Sequence, residues 1–286
     1  MERVVCISNT GYSIEISQGF PYFLENIIGV HEVSGNVATV KSAFSVGTKY
    51  VGTSIEDRAI SITGFFKSRN EKRVPQRDTL YKVFSLGQKG TLYYYEDDQS
   101  FKIDYYVKNI KTNNKFAYDS FQIDLLCPSP YFTDLNETVV SLATWNKLFK
   151  FPLEIPEGQG IMFGEKSQNT LATIINNSNI EIGMRIIFNA DNTVKNPKVT
   201  NVITGEELVL DTTLDRGDQI EVSTYINDKN IYVLRDGSKI RKNNLLKFGS
   251  KFLQIHQGTN TFKFDADSGA ENLSINFYYY NNYEAV

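Results

Sequence analysis

The feature that most narrows what this chain can fold into is a two-residue alternation of apolar and polar side chains. Ile60-Ser61-Ile62-Thr63-Gly64-Phe65 carries it, as do Leu92 to Tyr95, Phe101-Lys102-Ile103-Asp104-Tyr105-Tyr106-Val107 and Phe121-Gln122-Ile123-Asp124-Leu125. Successive side chains on a strand point to opposite faces, so this period places one face in a core and the other in solvent. Gly, Asn and Asp punctuate the runs, as they do in hairpin-rich sheets. One stretch departs from the period. Pro75 to Gly87 opens with proline and closes with glycine, and Leu80, Val83, Phe84 and Gly87 follow helical spacing. The spacing predicts one short amphipathic helix packed on a sheet.

Cys127-Pro128-Ser129-Pro130 is the clearest boundary. Its prolines cannot donate to a ladder and they stiffen the chain. A second β-rich region follows, with compact runs at Met184 to Phe188, Leu208 to Leu210, Gln219 to Val222 and Ile231 to Leu234, and a closing run from Leu273 to Tyr280. Turn chemistry separates these runs: Thr204-Gly205, Arg216-Gly217-Asp218 and Asp236-Gly237. Such spacing predicts a sandwich or jelly roll. A length of 286 residues accommodates two domains. The expected division is 1–130 and 131–286, with the crossing between Cys127 and Asp134.

Composition bounds the function. There are 17 Tyr and 19 Phe against one Trp, an excess that favours β structure and interfaces. Thirty basic and 33 acidic side chains leave a formal charge of −3, so there is no electrostatic footprint for nucleic acid or an anionic membrane. No apolar run approaches bilayer-spanning length, and the first residues lack a signal-peptide pattern, so synthesis and folding in a cytoplasm are expected. Cys6 and Cys127 lie far apart in sequence and read as two buried thiols rather than a disulfide.

Catalytic chemistry is hard to place. The two histidines, His31 and His256, have no nucleophile motif beside them, and both read as structural. The single Trp145 reads as core. Asp265-Ala266-Asp267-Ser268-Gly269 resembles a calcium loop but lacks a third ligand and places its glycine one position early, so a hairpin turn is expected there. The acidic pairs Asp97-Asp98 and Glu206-Glu207 fall at expected turns, where solvated charge is the default. The chain is therefore expected to be no enzyme and to take no cofactor or metal. The run from Lys67 to Lys82 is basic. A solvated loop is its commonest meaning and a protein contact the next, with Lys67, Arg69, Lys72 and Arg73 as candidate inter-subunit contacts. DNA contact ranks last.

The order of these signatures resembles the distal tail protein (Dit) family of siphophages over almost the full length. In the first half the resemblance rests on Gly47, Gly52, Arg58, the strand from Ile60, the helix near Leu80 to Leu86, and Leu126-Cys127-Pro128-Ser129-Pro130-Tyr131-Phe132. In the second half it rests on Asn196-Pro197-Lys198-Val199, Thr204-Gly205-Glu206, Gly217 to Val222, Phe252 to Phe262 and the Tyr-rich run from Tyr278 to Tyr283. One departure is Asn176-Asn177-Ser178-Asn179, which lacks an expected turn glycine.

The resemblance implies an all-β fold with one short helix. A first-domain β-sandwich with the helix and an extended hairpin would assemble into a homo-hexameric ring, with a galectin-like β-sandwich (jelly roll) at its periphery. The ring would sit at the distal end of the virion tail. It would join the tail tube protein to the tail hub or tail-associated lysin, and also meet tape measure and receptor-binding proteins, without specific nucleic acid contact or membrane insertion. Three rivals stand beside this reading: a carbohydrate-binding tail module aiding host attachment, a cell-wall hydrolase, and the equivalent ring of a contractile tail or tail-like bacteriocin.

Overall fold

The structure is a computed structural model that describes residues 2–44, 46–66, 73–114, 118–143, 145–147, 164–166, 171–235 and 237–286. Among the described residues it is mostly β, with one α-helix. The chain forms two compact units: Met1–Leu135 together with Asn282–Val286, and Asn136–Asn281.

The first unit contains β1 (Arg3–Ser8), β2 (Ser13–Ile16), β3 (Tyr22–Ile28), β4 (Gly35–Val40), β5 (Lys49–Ile55) and β6 (Arg58–Phe66). After the helix α1 (Arg73–Val83) come β7 (Lys89–Glu96), β8 (Gln99–Asn114), β9 (Asp119–Cys127) and β10 (Phe132–Asp134). The main sheet runs β2-β1-β7-β8-β9-β6-β3. Its two end strands meet: Ser17 bridges Phe23, with Ser17 N–H donating to the Tyr22 carbonyl at 3.2 Å and Leu24 N–H to the Ser17 carbonyl at 2.7 Å. The sandwich of the first unit is thus built from one continuous sheet whose two end strands are bridged.

The alternation read from sequence is what fills it. Ile60, Ile62, Leu92, Tyr94, Ile103, Tyr105, Ile123 and Leu125 all point into one core. Leu80 and Val83 of α1 join that core, as does Phe84 just past the helix end, and the Tyr22 hydroxyl donates to the Gln76 carbonyl at 2.9 Å. The helix spans Arg73–Val83 rather than beginning at Pro75. Pro75 sits in its first turn, where no intrahelical N–H is needed, and Gly87 at φ +74° lies past its end. The strand expected to stop at Val107 continues to Asn114, through a register shift between Val107 and Asn109.

The second unit contains β11 (Thr138–Ala143), β12 (Trp145–Lys147), β13 (Gly164–Lys166), β14 (Leu171–Asn176), β15 (Met184–Ala190), β16 (Val194–Lys195) and β17 (Lys198–Asn201). It continues with β18 (Glu207–Val209), β19 (Thr213–Leu214), β20 (Gln219–Tyr225), β21 (Asp228–Arg235), β22 (Ser238–Arg241), β23 (Gly258–Asp265) and β24 (Leu273–Tyr279). Two sheets, β11-β24-β15-β20-β21-β22 and β14-β23-β17-β18, enclose the core of a sandwich. Phe262 and Phe277, one from each sheet, meet with ring centroids 5.2 Å apart.

Two turns differ from expectation. Asp265 to Gly269 is not a hairpin, because β23 and β24 lie in different sheets and the segment carries the chain from one to the other. In the glycine-free turn after β14, the Asn176 side chain replaces backbone freedom with hydrogen bonds. Its Oδ1 accepts from Ser178 N–H at 2.9 Å, and its Nδ2 donates to the Ile180 carbonyl at 2.8 Å and the Ile255 carbonyl at 3.1 Å.

The chain leaves the first unit later than the Cys-Pro-Ser-Pro signal indicates. Phe132 is fully buried in the first core, and β10 pairs with β8. The last strand, β25 (Asn282–Tyr283), then pairs with β10. Tyr283 packs edge-on against Phe101 with centroids 4.9 Å apart, and its hydroxyl donates to Asp134 at 2.9 Å.

Candidate assembly site

The strands β4 and β5 form a two-stranded sheet of their own and, among the described residues, pair with nothing else. Every residue of β4 is exposed, and in β5 only Gly52 is half-buried. The side chains are nonetheless those of a buried sheet: Val37, Val40, Tyr50, Val51 and Ile55, with Phe44 at the tip fully exposed. Two-stranded ribbons are at best marginally stable alone. Valine, isoleucine and aromatic side chains lying open on such a ribbon mark a surface meant to be covered. Its unpaired edges offer a further row of N–H and C=O groups to a partner. Sequence reasoning did not locate this arm. Its expected existence came from the resemblance alone.

The root of the arm is as ordered as the arm is bare. The Glu56 N–H donates to the Ser34 carbonyl at 3.1 Å, closing the ribbon. Next to it Arg58, only 4% exposed, turns its guanidinium inward. Nε donates to the Pro130 carbonyl at 2.6 Å, Nη1 to the Gly29 and Val30 carbonyls at 2.7 and 2.8 Å, and Nη2 to the Glu284 carbonyl. The cation also lies over the Phe132 ring, 5.0 Å from its centroid. Burial pulls the Arg58 pKa down, opposed by the nearby carboxylates of Glu284 and Glu32. Only a planar fork with several donors could hold three chain segments at once. Gly29 is required there: it sits at φ +91°, and a Cβ would stand 2.0 Å from the Ala59 carbonyl oxygen. A cleft of about 350 Å³ opens beside this junction, lined by Glu32, Ser34, Glu56, Asp57, Arg58 and Pro130.

Lys67, Arg69 and Lys72 lie outside the described residues, and Arg73 is described only as the first residue of α1. Trp145 is placed in β12, with its side chain outside the description. Asp97 and Asp98 occupy the two-residue loop between β7 and β8, Asp97 at φ +49°. Glu206 ends the β17–β18 turn, where it pairs with Lys251 at 2.7 Å. Cys6 and Cys127 are free and buried, and burial pushes the Cys127 thiol up to about 12, so neither is a reactive thiolate. Among the described residues no three His, Cys, Asp or Glu side chains gather as a metal site. On the outer face of the six-stranded sheet, a sugar would need free aromatic faces. The rings of Tyr278 and Tyr232 are instead covered by Arg185 and Lys239, at 4.3 and 4.2 Å from their centroids.

Comparison with known proteins gives a consistent picture. The phage tail protein RIFT-related domain matches residues 9–127, and the C-terminal domain of the siphovirus-type tail component matches residues 177–283. No curated protein matches the chain. Among solved structures it is similar to the Dit protein of phage SPP1, described as a paradigm of the hub adsorption apparatus in phages infecting Gram-positive bacteria. The TM-score is 0.70 at 8% identity, over 98% of this chain and 99% of that one. It is also similar to a chain of the phage P2 baseplate in its activated conformation with Ca, with a TM-score of 0.55 at 14% identity and full coverage of both chains.

Proposed function

The chain belongs to the siphovirus distal tail protein family and is a structural protein of the phage tail and baseplate, and from that premise we propose that it forms a homo-hexameric ring joining the tail tube to the central hub and adsorption apparatus. The first unit builds the ring and the second unit lies at its periphery. The observation that carries this reading is the arm formed by β4 and β5. A surface of that chemistry needs a cover, and a neighbouring copy of the same chain supplies one. Closed rings use heterologous contacts, one patch meeting a different patch on the next subunit, and a projecting arm is such a patch.

Lys67, Arg69, Lys72 and Arg73 act in the same assembly, meeting carboxylates of the next subunit or of the tube rather than DNA. The genome slides past this ring during ejection, and a cationic lining would hold phosphate. The hub, tape measure and receptor-binding proteins are the remaining partners, and assembly takes place in the host cytoplasm. Symmetry-averaged electron microscopy of the native tail tip tests the reading directly. Six copies with the arm on a neighbouring subunit are expected, and a single copy per tail would overturn it.

A further inference from the structure

We propose that His256 is a pH-responsive latch whose protonated imidazole pins together three loops of the second unit. Its Nδ1 stands 2.8 Å from Oε1 of Glu181, and its Nε2 stands 3.2 Å from Oε2 of Glu206. A neutral imidazole carries one N–H and one lone pair, so it can donate to only one of these carboxylates. The other nitrogen would then aim its lone pair at an anion. Both contacts hold together only for the imidazolium.

The partners come from separate elements. Glu181 lies between β14 and β15, Glu206 lies at the end of the β17–β18 turn, and His256 precedes β23. The remaining charged group in the cluster is Lys251, whose Nζ is 2.7 Å from Oε1 of Glu206. A polar relay ties the backbone to the same point. His256 N–H donates to Asn260 Oδ1 at 3.0 Å, and Asn201 Nδ2 donates to that oxygen at 3.2 Å. Asn201 Oδ1 in turn accepts the N–H of Ile203 at 3.1 Å and of Thr204 at 3.4 Å. The β17–β18 turn, which exposes Val202 and Ile203, is therefore held through Asn201 at one end and Glu206 at the other.

The sign follows from the charges. Partial burial lowers the His256 pKa, but hydrogen bonds and charge from Glu181 and Glu206 outweigh it, and the net shift is upward. The latch is fully closed below the ordinary histidine pKa of about 6.5 and is lost as pH rises through the higher folded value. Above that value the proton stays on Nδ1, facing the nearer carboxylate, and the contact to Glu206 is given up.

The test uses the full chain, whose two histidines give two imidazole signals by NMR; His256→Asn assigns them. His256 is expected to titrate above about 6.5, and Glu206→Gln and Glu181→Gln should each lower that value. Hydrogen-exchange protection at Ile203 and Thr204, corrected for intrinsic rates, should fall about two- to fivefold from pH 6 to pH 8.5, the scale of an exposed ion pair. That fall should vanish in His256→Asn. Titration at or below about 6.5, a value unmoved by both glutamine variants, or protection independent of pH would each overturn the latch.

Discussion

Strands β5 and β6 are neighbours in sequence, separated by Glu56 and Asp57, yet they meet opposite fates. In β6 every second residue is buried, from Arg58 through Ile60, Ile62 and Gly64 to Phe66. In β5 nothing is buried. Both are rich in β-branched and aromatic side chains. What separates them is neighbours: among the described residues β6 has β3 and β9 on its two sides, whereas β5 has only β4. A strand's local chemistry sets its conformation, and whether it stabilises its own unit depends on what lies over it. The wall strand works for the monomer, whereas the arm strand is the one the proposed function assigns to assembly.

That contrast can be broken in several ways. The largest expected effect comes from excising residues 36–54 and joining Gly35 to Ile55 through Asn-Gly. Ring assembly should be abolished in native mass spectrometry, while unfolding free energy changes by no more than about 0.5 kcal/mol. A monomer destabilised by more than about 2 kcal/mol would mean the arm packs within its own unit. Next is Arg58→Met at the root. It leaves four carbonyls without their donor in a buried site and should cost about 3–5 kcal/mol by urea denaturation. A cost below about 1 kcal/mol would mean the junction is held by the strands alone.

A matched pair sharpens the comparison further. Ile62→Ala in the wall, at a site with no exposure, should cost about 2–5 kcal/mol. Val51→Ala in the arm should cost the monomer less than about 0.5 kcal/mol and show its effect only in the ring. Equal costs would erase the distinction. The smallest effect belongs to the basic run. Replacing Lys67, Arg69, Lys72 and Arg73 with Ser should leave the monomer folded and weaken assembly by about 0.2–1 kcal/mol per ion pair, more at low salt than at high. Wild-type assembly by this variant would mark the run as a solvated connection.

The wall was legible because alternation is a local signal. Ile60, Ile62, Ile103, Ile123 and Leu125 announce their burial within a few residues, and the helix announces itself between proline and glycine. The arm was not legible in the same way, because Val37, Val40 and Val51 carry no mark of whether anything covers them. Arg58 stood out in sequence only through the family resemblance. Its partners are backbone carbonyls of Gly29, Val30, Pro130 and Glu284, groups that every residue possesses. His256 read as structural, and nothing adjacent in sequence points to Glu181 or Glu206, which lie 75 and 50 residues away.

The Arg58–Glu284 contact spans 226 residues, and β25 is laid onto β10 after the whole second unit has passed. On the ribosome this sets an order. The first unit is synthesised first but completed last, because its closing strand is translated only after residues 136–281. Until then β10 has only β8 beside it and one arm of the Arg58 fork has no acceptor. Domains generally fold as the chain emerges, so the second unit can reach its native state while the first still waits for its closing strand. A nascent first unit is therefore not yet finished when its arm is already exposed.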